Sequence, residues 1–346
     1  MIKFKLNSNI KDRFEKYLSS DLFHDQAVQT KSNYWNYHSK QIKYFIKNNH
    51  ICLGGDSGFY MPDKKYSISS LWKAIKLQLK RVINYKNSYY LPYKKVFDKV
   101  MNDSKVVGFQ QVHLDKEKII AKKVSDCKKI FPLKNHTINF HIIKTYYWFN
   151  ILSSYLDLSD TKFVAEIGAG NGNFISLLKY HSKTKCIVNI DLPETLVHCI
   201  AYLAYVFPNS KILFPNEIDK KINKEILANY DFVFITPSQI QLLDDNIIDL
   251  FINTGSFCEM NNSQIGEYFK LVQRCGKNDS FFFNVNRVEK IPHAGKKNND
   301  FKNIKPIRFF EYPFFRNNEV LIFEICKFFR LLIKDPVYVR LERIKK

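Results

Sequence analysis

Short apolar runs alternate with helix-like segments through the second half of the chain, and this rhythm limits the folds open to it. The runs occupy residues 163–167, 186–191, 211–214, 231–236, 248–253 and 280–286. Apolar residues recur at helical spacing over 193–206 and 263–275, where Asn262 or Ser263 can cap the second helix. Alternating strands and helices predict a mostly parallel α/β sheet covered on both faces. A last run, 336–344, predicts a strand that pairs antiparallel at the sheet edge.

The first 150 residues follow a different pattern, mainly helical with polar breaks. Helical spacing predicts a helix over 71–83, and a Gly/Pro-rich loop precedes it over 53–65. A longer apolar helix over 136–156 leads into the alternating part. We therefore divide the chain into a mainly helical N-terminal substrate or cap region, 1–150, and an α/β domain, 151–346.

Composition is that of an ordinary globular protein, with 45% apolar and 25% charged residues. No stretch approaches the roughly 20 uninterrupted apolar residues of a membrane span. The seven cysteines are scattered without a C-x-x-C pair, which argues against a zinc site and for a reducing compartment. We predict a cytoplasmic protein that binds no metal.

The net charge of +21 raises the question of an anionic partner. The basic residues are spread along the chain rather than gathered in one arm, as a compositional bias towards Lys, Asn and Ile would produce. We therefore expect no specific nucleic-acid binding. Weak attraction to an anionic membrane or to acidic glycans is equally compatible with this charge distribution.

Three alternating glycines follow the first predicted strand in the stretch FVAEIGAGNGNF, residues 163–174. Glycines at such a turn let the backbone approach a ligand beside a helix N-terminus. A dinucleotide site has the spacing G-x-G-x-x-G, whereas here the sixth position is Asn173. Glu166, two residues before the first glycine, would repel a pyrophosphate. The spacing favours a cationic ligand such as S-adenosylmethionine, which carries an ammonium and a sulfonium.

The second predicted strand also ends in an acidic residue, Asp191, within the stretch CIVNIDLPETL. A carboxylate at this position can accept hydrogen bonds from both ribose hydroxyls of an adenosine-containing cofactor. NAD would use the same acid, so the glycine spacing is the feature that separates the two cofactors.

These motifs resemble the class I S-adenosylmethionine-dependent methyltransferases, and more closely a bacterial family of sugar O-methyltransferases. The resemblance covers about residues 110–300 and is densest in VAEIGAGNGNF, NIDLPETL and FINTGSFCEMN followed by YFKLV. It implies a Rossmann-like, doubly wound, mostly parallel seven-stranded sheet with a helical N-terminal region over the substrate side. It implies S-adenosyl-L-methionine as cofactor, held at Glu166, Gly168, Gly170 and Asp191. We extend the predicted cofactor site to the neighbouring residues Ala169, Asn171, Gly172, Leu192 and Asn253.

Methyl transfer to a hydroxyl is an in-line displacement, to which the protein contributes positioning and a base. Related small-molecule O-methyltransferases carry a histidine just after the strand that here spans 248–253, where this chain has Cys258. We predict that the next residue, Glu259, is the base, with its pKa raised by a partly apolar pocket, ahead of His293 in the segment IPHAGKK. Glu259 could instead be an acid that favours the start of helix 263–275, and His293 an exposed loop residue.

The sequence therefore predicts an O-methyltransferase that acts on a sugar hydroxyl in nucleotide-sugar or surface-glycan metabolism. A nucleic-acid methyltransferase is an alternative, although no N-P-P-Y or D-P-P-Y base-flipping motif is present. A NAD(P)-dependent sugar oxidoreductase is another alternative, although this chain lacks the glycine that such an enzyme has at the sixth position of the motif. A non-catalytic scaffold with the same fold is the third.

Overall fold

The computed structural model describes residues 2–24, 32–54, 105–106, 140–290, 306–326 and 337–346. The statements that follow concern these residues. The helix predicted over 71–83 and nearly all of the loop predicted over 53–65 lie outside them, so neither prediction is tested.

The described N-terminal residues combine short helices with a three-stranded antiparallel sheet. In chain order, the elements are β1 (Ile2–Lys5), α1 (Ser8–Leu18), α2 (Asp21–His24), α3 (Asn33–His38), β2 (Lys43–Lys47) and β3 (His50–Gly54). β3 lies between β1 and β2. Asn48 and Asn49 join β2 to β3 and both have positive φ, as a two-residue hairpin turn requires. This hairpin was not predicted, and the mainly helical character predicted for the N-terminal region is not confirmed.

The rest of the described chain builds one large sheet with its helices. The elements are β4 (Lys105–Val106), α4 (Phe140–Tyr155), β5 (Phe163–Ile167), α5 (Asn173–His181), β6 (Cys186–Ile190), α6 (Pro193–Val206), β7 (Ile212–Leu213), α7 (Lys224–Asn229), β8 (Phe232–Ile235), β9 (Ile248–Thr254), α8 (Asn262–Cys275), β10 (Gly276–Arg287), β11 (Glu289–Lys290), β12 (Ile307–Arg308), β13 (Glu319–Cys326) and β14 (Val337–Arg343). The strand order is β4-β13-β14-β10-β9-β5-β6-β8-β7. β11 and β12 form a separate antiparallel pair.

The six strands from β10 to β7 are parallel to one another, as the sequence predicted. Helices and apolar clusters cover both faces of this sheet. The fold is therefore a Rossmann-like α/β fold. The chain builds the sheet outwards from β5 in one direction through β6 and β8, and then in the other through β9 and β10. The direction of winding changes between β5 and β9.

Two features of the predicted sheet are wrong. The final strand, β14, pairs antiparallel as predicted, but it lies between β10 and β13 instead of at the edge. Its residues Tyr338, Val339 and Leu341 are completely buried because β13 covers the side that was expected to be open. With β13 and the two-residue strands, the described sheet has nine strands, where seven were predicted.

The N-terminal segment packs on the α6 side of the sheet. Phe4 and Phe14 belong to the same buried cluster as the apolar face of α6. Arg13 donates to both carboxylate oxygens of Glu217, each at 2.6 Å, and its guanidinium lies 4.7 Å from the ring centroid of Phe214. These contacts join the N-terminal residues to the larger sheet, and the domain division at residue 150 stays a prediction.

Candidate functional site

The candidate site lies at the carboxyl edge of the parallel strands, where the direction of winding changes. The glycine turn follows β5, Asp191 follows β6, and the segment Ser256–Glu259 follows β9. Ligands of doubly wound sheets bind in the crevice at such a point, because the loops after the two central strands diverge there.

The glycine turn needs its glycines for two reasons. Gly168, Gly170 and Gly172 have φ of 73°, 56° and 80°, values that residues other than glycine rarely adopt. A Cβ at Gly168 would also overlap the side chain of Ser256, and one at Gly172 would lie 2.9 Å from Cys199 Sγ. α5 begins immediately after the turn, so its free amide groups face the same edge.

The turn and Asp191 are held together by hydrogen bonds. The amide of Gly168 donates to the Ile190 carbonyl at 2.7 Å, and the amide of Gly170 donates to Asp191 Oδ2 at 2.8 Å. The amide of Leu192 donates to Asp191 Oδ1 at 2.7 Å. The first and second predicted parts of the cofactor site are therefore adjacent.

Ala169 and Asn171 are the two other residues of the predicted turn. Their side chains are buried, and the Ala169 carbonyl accepts the amide of Gly172 at 2.9 Å. They shape the turn, and their side chains expose little surface to a ligand.

Four carboxyl side chains gather at this edge, and we call them the acidic group: Glu166, Asp191, Glu194 and Glu259. Glu166 is only 2% exposed, and its Oε2 has no hydrogen-bond partner, while the Thr254 hydroxyl donates to its Oε1 at 3.4 Å. Burial raises the pKa of Glu166 well above its usual range, and the neighbouring Asp191 raises it further.

Asp191 itself is partly accessible, yet burial of its carboxyl raises its pKa to about 7. The amides of Gly170 and Leu192 oppose this rise, whereas the charges of Glu259 and Glu194 add to it. In a chain with a net charge of +21, the crevice at the end of β5 and β6 is thus acidic, and a cation would stabilise it.

Asn253, predicted to contact the cofactor, lies beneath the site instead. Its side chain is completely buried, and its amide donates to the Ile167 carbonyl at 2.8 Å and to Ser256 Oγ at 2.5 Å. Its carbonyl accepts from the amide of Asn286 at 2.7 Å. Because both ends of the side chain bond to protein, Asn253 supports the turn and leaves ligand contact to its neighbours. Asn286, also buried, was not predicted to have a role.

Glu259 lies in a short 3₁₀ turn, Phe257–Glu259, at the same edge of the sheet. Its Oε1 forms an ion pair with Lys290 Nζ at 2.5 Å. α8 begins at Asn262, one residue before the predicted start, and Asn261 caps it by accepting the Gln264 amide at 2.9 Å. Glu259 is therefore paired with a lysine from β11, and Asn261 is the residue that caps the helix. His293, the other predicted base, lies outside the residues that the structure describes.

Polar residues after β8 were not predicted to belong to the site. β8 is the neighbour of β6, so Thr236 and Ser238, which follow it, stand at the same edge as Asp191. Their hydroxyls are 2.8 Å apart, and Thr236 also starts a capping box with Gln239. The sequence contains this capping signal, but a cap alone does not indicate a ligand site.

Within the described ranges, no three His, Cys, Asp or Glu side chains are close enough together to hold a metal ion. His198 is buried in α6, and burial lowers its pKa to about 4. Asp245 pairs with Arg274 at 2.7 Å.

Among the helices that the structure describes, none has the length and apolar character needed to cross a membrane.

No family model and no curated protein matches the chain, but solved structures do. The YcgJ protein from Bacillus subtilis is 13% identical with a TM-score of 0.30, over 41% of this chain and 51% of that protein, so the chain spans about half its length. An S-adenosylmethionine-dependent methyltransferase from Leishmania major is 11% identical with a TM-score of 0.39, over 63% of this chain and 82% of that one. One from Methanosarcina mazei is 13% identical with a TM-score of 0.38, over 56% and 97%. Similarities this low assign no activity to the chain.

Proposed function

We propose that the protein is a methyltransferase that uses S-adenosylmethionine. The observation that carries this proposal is the buried Glu166, whose unpartnered Oε2 lies below the glycine turn and beside Asp191. A buried carboxyl with a free oxygen suits a cationic ligand, because an ammonium or sulfonium supplies the missing partner. A pyrophosphate would instead meet two acidic residues.

Each part of the site has a role in holding this cofactor. The glycine turn allows close approach of the ligand to the backbone, and Asp191 accepts hydrogen bonds from the ribose hydroxyls. Glu166 compensates the positive charge. When bound, the cofactor supplies an activated methyl group on a sulfonium, so the chain itself needs only to orient the acceptor and remove its proton.

We propose a sugar hydroxyl as the acceptor and Glu259 as its base, in cytoplasmic nucleotide-sugar or surface-glycan metabolism. The segment DLP after β6 and the segment N-x-x-S-x-x-E-M, which begins at the end of β9, support this choice, since they carry the resemblance to sugar O-methyltransferases. Glu259 stands at the same edge as the acidic residues of the cofactor site, and its charge acts on Asp191. Glu259 would accept the proton of the acceptor hydroxyl, and the bound cofactor would supply the methyl group, which would leave its sulfur for the hydroxyl oxygen.

The experiment compares glycans from cells with and without the gene by mass spectrometry, to find a residue that loses one methyl group. Purified protein then methylates that acceptor in vitro. Glu259→Gln should lower kcat by roughly 10²–10⁴ with nearly unchanged cofactor affinity. Glu267→Gln, at an exposed glutamate of α8 paired with Lys270, is the control and should leave kcat unchanged. Parental turnover by Glu259→Gln would remove Glu259 from the mechanism.

A further inference from the structure

The ion pair between Glu259 and Lys290 brings a cation to one member of the acidic group. Its side chains are only 19% and 8% exposed, and the two groups come from different elements, the 3₁₀ turn after β9 and the short strand β11 after β10. Moving two charges out of water costs free energy that their attraction barely offsets, so such a pair is poorly explained by stability alone.

Arg287, at the end of β10, is a second cation on the same side. Burial raises the pKa of the Cys258 thiol, and the positive charges of Lys290 and Arg287 both oppose that rise, so both lie near the residue before Glu259. The Arg287 side chain is exposed. The segment that bears the proposed base is therefore flanked by two cations.

In this ion pair the Lys290 ammonium occupies Oε1 of the Glu259 carboxylate. Glu259 can offer that oxygen to a hydroxyl only if Lys290 has moved its bond to another acceptor. An anionic group on the incoming molecule would provide that acceptor in the crevice itself.

We propose that the methyl acceptor carries a negatively charged group, a carboxylate or a phosphate, next to the hydroxyl that is methylated, and that this group takes Lys290 away from Glu259. This inference rests on the proposed function. The step balances within the named groups: the hydroxyl proton passes to Glu259, the oxygen bonds to the methyl carbon, and the bond from that carbon to sulfur breaks. The anion and Lys290 exchange no proton in it. Lys290 is then a specificity-determining residue for acidic sugars.

The test measures the affinity of inorganic phosphate for the protein by calorimetry at fixed ionic strength, with S-adenosylhomocysteine present at saturation. Lys290→Met should weaken phosphate binding by at least about tenfold, and Lys290→Arg should keep most of it. Glu259→Gln should strengthen binding, since it removes the group that competes for Lys290. Lys270→Met is the matched control: it breaks an ion pair on the surface of α8 and should not change phosphate affinity.

Glucose, glucuronate and glucose 6-phosphate then replace phosphate, and preference for one acidic sugar identifies the carboxylate or the phosphate as the anion. Equal phosphate affinities in the parent, Lys290→Met and Lys270→Met would overturn the proposal, as would an unchanged affinity in Glu259→Gln. Thermal unfolding of each variant separates loss of a site from loss of the fold. Binding of S-adenosylhomocysteine is measured first and without phosphate. Its absence contradicts the proposed function, whereas the phosphate titration of the unliganded protein still tests Lys290.

Discussion

At the scale of single residues, Asp191 links the candidate site to pH. Burial raises its pKa to about 7, whereas an aspartate in an unfolded chain has a pKa of about 3.9. Between these values the folded protein holds a proton that the unfolded chain has lost. The free energy of unfolding of the ligand-free protein should therefore decrease as pH rises from about 4 to about 7, and Asp191→Asn should reduce that decrease.

Cofactor binding should show the opposite dependence on pH. A cationic ligand favours the ionised form of Asp191, so below pH 7 binding must expel a proton. We predict that affinity for S-adenosylmethionine rises with pH up to about 7, by close to tenfold per pH unit for each linked proton, because Asp191 and Glu166 both ionise on binding. Calorimetry in two buffers of different ionisation enthalpy counts the protons released. An affinity independent of pH in the parent would contradict the role given to Asp191.

Glycines at two positions should respond in opposite ways to substitution by alanine. At Gly168, with φ of 73° and Ser256 in the way of a Cβ, alanine should lower the free energy of unfolding by at least about 1–2 kcal/mol and weaken cofactor binding. Gly266 lies within α8 with open space around it, so alanine should stabilise the protein by about 0.5–1 kcal/mol. Urea unfolding measures both. Equal responses at the two sites would show that the turn imposes no special demand.

At the scale of elements, local sequence signals predicted the bounds of several helices and strands, whereas contacts between distant parts of the chain were not predicted. The bounds of β5 and α6 were predicted to the residue, because a short apolar run and a proline-started amphipathic helix carry their own signals. β13 was missed because Glu319 and Glu324 interrupt its apolar pattern, although both are buried in the structure. The edge position of β14 was wrong for the same reason, since its cover comes from β13.

The candidate site was likewise predicted only in part from the sequence. The glycine spacing and the acid after the second strand predicted adjacent parts of the site, because a βα turn and the end of the next strand share one edge in any parallel sheet. An asparagine near the end of a strand does not reveal whether its side chain faces a ligand or a neighbouring strand, so the bonds of Asn253 to Ile167, Ser256 and Asn286 were not predicted. The pairing of Glu259 with Lys290 joins a 3₁₀ turn to a short strand, and no sequence pattern marks it.

The docking of the N-terminal segment on the main sheet depends on Arg13. Arg13 and Glu217 are each about a quarter exposed and form a two-pronged contact. Arg13→Ala should lower the free energy of unfolding by about 1.5–3 kcal/mol, and Arg13→Lys should recover only part because a lysine cannot span both oxygens. Lys11→Ala breaks the exposed pair with Glu15 on the same helix and should lower the free energy of unfolding far less than Arg13→Ala. A double-mutant cycle without coupling between Arg13 and Glu217 would contradict this anchor.

At the scale of the whole molecule, the net charge of +21 and the acidic crevice have opposite signs. If the basic surplus reflects composition, the protein should bind duplex DNA or RNA only non-specifically, with a Kd of about 10⁻⁴–10⁻⁶ M that weakens steeply with salt. Filter binding over a salt series measures this. A selective RNA complex that survives high salt would favour a nucleic-acid methyltransferase over the sugar enzyme.

We propose that the crevice below the glycine turn binds a cationic adenosine cofactor. Calorimetry with S-adenosylmethionine, S-adenosylhomocysteine and NADH tests it most directly. We predict that the first two bind, that NADH does not, and that Asp191→Ala weakens binding by about 1.5–3 kcal/mol. Tight binding of NADH, or no binding of S-adenosylmethionine by the folded parent protein, would contradict it.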